Sequence, residues 1–296
     1  MSAKNHHYNP QVYLKRFTNP KVKNELWEYN LANGTVTKST PQDCGYEKYY
    51  NSVALKDGGR DDETLETAFF PLENALPKLF KAIRIKQEMT NDLWSLLFTF
   101  VAIQDARSPS TVGVINNFLC QIHQAGFEMM CKGSPKFQKE FAALGVDPNK
   151  VPDLLEIKPS QGSALLLSLQ AISEAADILC RINWHFLHAS AGKFFFTSDH
   201  PLCRWTPPEK RNIYGGGLTD QDVEFTFPLS RRVCACGHWT KTWPETHNEV
   251  SADAVDRINW RTVRKARQFV YGSTEDSQIE ELVRDKSNAC QRNETK

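Results

Sequence analysis

The sequence predicts an α+β fold, on three observations: a β-hairpin signal near the start, a long central block with helical periodicity, and a closing stretch where short strands mix with helices. Residues 25–31 alternate apolar and polar side chains and run through Ala32-Asn33-Gly34 into residues 35–38. Asn-Gly between two β-rich runs is a strong hairpin signal. Residues 41–51 are expected to form a short helix and a bend that returns Tyr46, Tyr49 and Tyr50 toward the core, and residues 57–62 an exposed loop. Helical patterning covers 63–85, interrupted near Pro71 and Pro77, then 91–107, 110–131 and 163–181. The proline-rich stretch 145–162 reads as an excursion or hinge.

The pattern then changes. Residues 184–189 and 193–199, joined by Ser190-Ala191-Gly192, read as a hairpin, and 224–229 with 232–236 as two more strands around a tight turn. Residues 251–266 read as a helix, 267–271 as a strand and 277–286 as a last helix. The expectation is a single domain over 1–286 with a helical subregion at about 63–181, followed by a polar, disordered tail over 287–296. Trp27, Phe100, Phe195 and Phe227 occupy the apolar phase of their elements and are expected in the core.

Composition narrows the class. A chain of 296 residues, 40% hydrophobic, can bury a sizeable core. Its formal net charge of +1 leaves nucleic acid only a local patch to bind. There is no apolar run long enough for a membrane span, and the polar, basic start is unlike a secretory signal. Eight cysteines without a disulfide-like spacing, several in apolar runs, read as reduced thiols packed as small hydrophobes. A cytoplasmic protein is expected.

Four groups of residues carry possible chemistry. The first is the segment His6-His7-Tyr8-Asn9-Pro10-Gln11-Val12-Tyr13-Leu14-Lys15-Arg16-Phe17, whose apolar positions give it something to bury. Its histidines suit proton transfer near neutral pH, and Tyr8, Tyr13 and Arg16 add phenol donors and positive charge. The second lies on the helix over 91–107. Leu93, Leu96, Leu97, Phe100 and Val101 make one apolar stripe, and Gln104 and Arg107 continue it, so both need buried partners or a polar pocket. The third is Thr197-Ser198-Asp199-His200-Pro201 after Phe194-Phe195-Phe196, suited either to ligand binding or to a turn in which Asp199 satisfies neighbouring amides. The fourth is a helical stripe of Arg257, Arg261, Arg264 and Lys265, which reads either as a solvated face or as a track for a phosphate backbone.

Cys234, Cys236 and His238 share one strand face. Their spacing is tighter than in structural zinc pairs and no second pair accompanies them, so small core residues are expected rather than a zinc site.

The motif His-His-Tyr-x-Pro-x-x-Tyr-Leu-x-x-Phe resembles the opening of the bacterial family called domain of unknown function 4238. Phe196-Thr197-Ser198-Asp199-His200-Pro201 resembles its Thr-Ser-Asp-Asn-Pro motif, with His200 in place of Asn. Further matches fall in the family's order at Leu26-Trp27-x-Tyr29, Gln104-x-x-Arg107-x-Pro109, Phe227-Pro228-Leu229-Ser230 and Ala266-Arg267-x-Phe269-Val270-Tyr271. The resemblance implies no activity. From the residues themselves two readings stand. In one, His7 is the acid/base and Asp199 orients it in a metal-independent phosphodiester hydrolase or nuclease-like effector; His6, Tyr8, Tyr13, Arg16, Gln104, Arg107 and Ser198 line the substrate pocket. In the other, the same motifs are structural in a non-catalytic ligand- or partner-binding protein.

Overall fold

Short strands open the chain: β1 (Asn5–His7), a helical turn α1 (Gln11–Leu14), β2 (Leu26–Asn30), β3 (Val36–Ser39), β4 (Tyr46–Lys48), β5 (Val53–Ala54) and β6 (Arg60–Asp61). The helical block comprises α2 (Thr64–Arg84), α3 (Asn91–Ala106), α4 (Pro109–Gly133), α5 (Pro135–Ala143), α6 (Val151–Leu154), α7 (Gln161–Gln170) and α8 (Ile172–Leu179). Then follow β7 (Asn183–Ala189), β8 (Thr197–Ser198), β9 (Cys203–Trp205), β10 (Glu224–Ser230), β11 (Val233–His238), β12 (His247–Val250), α9 (Ala252–Lys265), β13 (Phe269–Gly272) and α10 (Ser277–Glu294). The computed structural model describes residues 5–294 apart from 56, 148, 156–158 and 212–215. The fold is α+β.

Two sheets organise it. One has strand order β12-β7-β11-β10-β9, antiparallel except for the parallel β12–β7 pair; the other runs β3-β2-β13-β8. The largest core lies where α2, α3 and α8 cover the five-stranded sheet, with Tyr13, Phe100, Phe186, Phe225 and Phe227 at its centre. A second core joins the four-stranded sheet to α9 and α10 through Tyr29, Phe196, Val263, Val270, Ile279 and Val283. Among the described residues no single helix is long and apolar enough to cross a membrane.

The Asn33-Gly34 hairpin forms as expected, with Gly34 at φ +70°, a left-handed conformation that glycine adopts without penalty. Three expectations are corrected. Residues 46–48 are strand rather than helix, because the peptide groups of β1 find their partners there, in the register His6↔Glu47 and His7↔Tyr46. Pro71 and Pro77 do not interrupt α2. Each interior proline costs roughly 3 kcal/mol. The buried face of Phe69, Leu76, Leu79, Phe80 and Ile83 offsets this at about 1.5–3 kcal/mol per side chain. The last helix also runs on to Glu294, past the expected end at 286, so the stretch expected as a tail is helical through that residue.

Two further differences concern connections. The helix expected over 163–181 is bent by 43° between α7 and α8. The expected hairpin of 184–189 with 193–199 does not form. β7 pairs with β11 and β12, whereas β8 joins β13 in the other sheet. The chain changes sheets because the Arg232 guanidinium satisfies the turn carbonyls of Ser190 and Lys193 (2.9 Å each), after which Phe195 enters one core and Phe196 another. Phe100, Phe195 and Phe227 are fully buried, but Trp27 is half-buried beneath the Lys38 ammonium, packed at the edge of the core that Tyr29 enters on the same face of β2.

Candidate functional site

Motifs far apart in sequence meet in one buried polar network. Asn9 directs its Nδ2 to the Ser198 carbonyl (2.8 Å) and accepts from Gln104 Nε2 at its Oδ1 (2.9 Å). Gln104 Oε1 accepts from Arg107 Nε (2.6 Å), and Arg107 Nη1 reaches Glu73 Oε1 on α2 (3.3 Å). The Tyr50 hydroxyl donates to the Arg107 carbonyl (2.9 Å). The helical phase read from the sequence therefore holds: Gln104 and Arg107 point inward, each about 1% exposed. The guanidinium also lies over the Phe69 ring, 4.8 Å from its centroid. Burial pushes the Glu73 carboxyl up, against the pull of Arg107.

The Thr-Ser-Asp-His-Pro turn is held from all sides. Asp199 Oδ1 accepts from the Arg267 amide (2.8 Å), and Oδ2 from the amides of Gln268 (2.6 Å) and Phe269 (2.9 Å). Its own amide donates to the Phe269 carbonyl (3.0 Å), which extends the β8–β13 pairing. Burial pushes this carboxyl up while the three amides pull it down. Ser198 Oγ closes the turn, donating to the His200 carbonyl (2.9 Å) and accepting its amide (3.1 Å). His200 Nε2 lies 3.0 Å from Asp105 Oδ1, and Arg204 pairs with the same carboxylate. Burial opposes ionisation of Asp105, but His200 and Arg204 outweigh it and hold its pKa low.

The N-terminal segment docks beside these. The Tyr13 hydroxyl donates to the Pro228 carbonyl (2.6 Å) and lies 2.7 Å from Thr197 Oγ1, which leaves the threonine hydroxyl to donate to it. Tyr8 and Tyr271 share a hydroxyl contact of 3.2 Å. His6 Nδ1 accepts the Asn51 amide (3.1 Å). His7, on the opposite face of β1, packs on Tyr46 (ring centroids 5.5 Å apart) with the Glu66 and Arg107 charges within electrostatic reach. Burial pushes its imidazole pKa down, so it is neutral at pH 7. Arg16 stands outside this network, over the Phe80 ring at 5.5 Å and near Arg84 and Arg231.

The structure thus gathers His6, His7, Tyr8, Tyr13, Gln104, Arg107, Ser198 and Asp199 into one region of the fold, and leaves Arg16 apart. His7 and Asp199 have different neighbours: the first sees the backbone of Pro41 and Gln42 with Glu66 beyond, the second three backbone amides. Residue-by-residue reading missed Asn9, the hinge of the network, although it lies within the N-terminal motif. It also missed Glu66, Glu73 and Tyr50, whose sequence surroundings carry no polar-site signal.

Cys234 and Cys236 are packed in a core with Phe195, Val255 and Ile258, and His238 Nδ1 accepts the amides of Thr240 (3.1 Å) and Lys241 (3.2 Å). Among the described residues no group of three or more His, Cys, Asp or Glu side chains is placed to hold a metal ion. The basic stripe is uneven. Arg257 and Arg264 are exposed, Arg261 pairs with Glu224 over the Trp205 ring, and Lys265 is drawn inward toward Asp105.

A family described as "Protein of unknown function (DUF4238)" matches residues 5–276, nearly the whole chain. The chain belongs to this family. The match spans β1 through β13, and with them every contact of the polar network. No curated protein and no solved structure matches the chain. As a DUF4238 member, the protein takes no activity from its relatives, and a functional reading has to come from its own side chains.

Proposed function

We propose that the protein is a non-catalytic ligand- or partner-binding protein in which the DUF4238 motifs form an internal clamp. The observation that carries this reading is the engagement of Asp199. A carboxylate that orients a catalytic imidazole must hold that ring, whereas three of the roughly four lone-pair sites of Asp199 go to the amides of residues 267–269 and the His7 ring lies against Tyr46. The chain of bonds Ser198–Asn9–Gln104–Arg107–Glu73 likewise consumes donors and acceptors that a substrate would need. What the arrangement provides is rigidity: the N-terminal segment, α2, α3 and the four-stranded sheet are tied at one place.

One observation favours the hydrolase reading. Arg107 Nη2 and His7 Nε2 are buried without a hydrogen-bond partner, and Glu66 and Glu73 stand nearby, two turns apart on α2. In that reading His7 transfers the proton, Arg107 faces a phosphodiester, and the exposed Arg257 and Arg264 track a nucleic-acid backbone.

His7→Gln separates the two, because glutamine keeps a donor and an acceptor but cannot cycle a proton near neutral pH. The clamp reading expects a loss of about 1–2 kcal/mol, or roughly 2–6 °C in Tm, with wild type and variant alike inactive. Thermal melts are run beside cleavage assays on single-stranded RNA, single-stranded DNA and cyclic nucleotides. Turnover by wild type, abolished in a variant that melts where wild type does, overturns the clamp as the whole function of the motif.

A further inference from the structure

A cleft of about 640 Å³ opens between α3, α8, β7 and the segment leading into β12, and its lining holds no residue of the polar network. Four aromatic side chains line it: Trp94 and Phe98 from α3, Trp184 from β7, and Trp243. The sheet makes room for them. Trp184 pairs in register with Gly237, where a Cβ would come within 2.8 Å of the indole, so only glycine lets that ring lie flat on β11. Trp184 Nε1 is fixed on the Leu179 carbonyl (2.8 Å). Trp94 stacks on Phe186 (5.5 Å, 9°) and on Phe98 (5.5 Å, 16°), which hold it as a wall of the cleft. His185 covers one face of Trp243, with centroids 3.4 Å apart, and the partly buried indole turns its remainder to the cleft it lines.

The charges of the lining all have one sign. Among the described residues Asp177 and Glu245 are its only carboxylates, both exposed, and no Lys, Arg or His side chain lines it. His185, behind Trp243, has its pKa lowered to about 4 by burial, so it adds no positive charge at pH 7. Lys86 lies in the adjoining depression that shares Glu245 with the cleft. Aromatic faces attract cations through their ring quadrupole, and carboxylates at the mouth add a Coulombic pull. A concave site of this volume, with four aromatic side chains among polar ones, matches a small organic molecule rather than a macromolecular surface.

We propose that this cleft binds a small organic cation carrying an alkylated ammonium, whose charge sits against the Trp243 indole while Asp177 and Glu245 neutralise it. The inference is independent of the motif clamp, since none of its residues belongs to that network.

Choline and its uncharged carbon isostere, 3,3-dimethylbutan-1-ol, provide the test by isothermal titration into the full chain. Choline is expected to bind about tenfold more tightly than the alcohol, a difference of the size cation–π and carboxylate contacts supply together. Trp243→Ala is expected to weaken choline about fivefold or more while leaving the alcohol less affected. The double variant Asp177→Asn, Glu245→Gln alters exposed side chains only and so keeps the fold; it is expected to erase the preference for the charged probe. Equal affinity for the two probes, no heat from choline, or an unchanged preference in the double variant overturns the proposal. None of these outcomes touches the His7→Gln test, so failure of one reading is distinguishable from failure of the other.

Discussion

Asp199→Ala is expected to cost on the order of 4 kcal/mol in equilibrium urea unfolding, because it strands three part-buried backbone donors at once. The amides of Arg267, Gln268 and Phe269 all end on this carboxylate, at 2.6–2.9 Å. Each unsatisfied buried donor costs about 1–3 kcal/mol, and water entering the space left by the side chain recovers part of the sum. The damage should be local to the β8–β13 junction, since Asp199 joins the end of α9 to the sheet through residues 267–269. Asp199→Asn retains one acceptor oxygen and should lose about half as much. A loss below about 1 kcal/mol for the alanine variant would mean that the three amides find other acceptors readily.

Arg107→Ala is the second large effect, expected at about 3–5 kcal/mol in the same assay. The side chain is fully buried, so its removal leaves Gln104 Oε1 without its donor and Glu73 without its cation, and opens space beside Phe69. The sign of the effect depends on what is left behind. Removing one partner of a buried pair leaves an uncompensated charge, whereas replacing both with apolar groups of similar size is often neutral. Arg107→Met combined with Glu73→Met should therefore recover much of the loss. A double variant as unstable as Arg107→Ala would show that the guanidinium's contacts with Gln104 and Phe69, rather than the ion pair, carry the energy.

The sequence made some of this site legible and concealed the rest, for identifiable reasons. The inward placement of Gln104 and Arg107 follows from a helical stripe defined by Leu93, Leu97, Phe100 and Val101, and periodicity resolves such a phase well. The α+β class followed in the same way, from the order of hairpin, helices and strands. The partners of that stripe were not legible. Glu73 becomes Arg107's partner only through the packing of α2 on α3, and nothing local to residue 73 announces it. β4 looked helical because strand pairing is a property of two segments, and β1 is short enough to pass as a docked tail. The false hairpin at Ser190-Ala191-Gly192 has the same origin. A turn signal fixes the reversal of the chain but not which sheet receives the returning strand. The aromatic cleft draws on four positions between 94 and 243, a separation no local pattern spans.

The central claim is that the DUF4238 motifs work as one clamp rather than as separate contacts, and a double-mutant cycle between Asn9 and Arg107 tests it most directly. The two side chains do not touch; each bonds to Gln104, Asn9 at 2.9 Å and Arg107 at 2.6 Å. Unfolding free energies are measured for wild type, Asn9→Ala, Arg107→Met and the double variant under one set of conditions. A clamp predicts that the two losses fall short of additivity by about 1 kcal/mol or more, since either substitution already frees the Gln104 side chain that the other would have released. Losses that add to within about 0.3–0.5 kcal/mol would contradict the account, leaving two independent contacts that happen to share a neighbour.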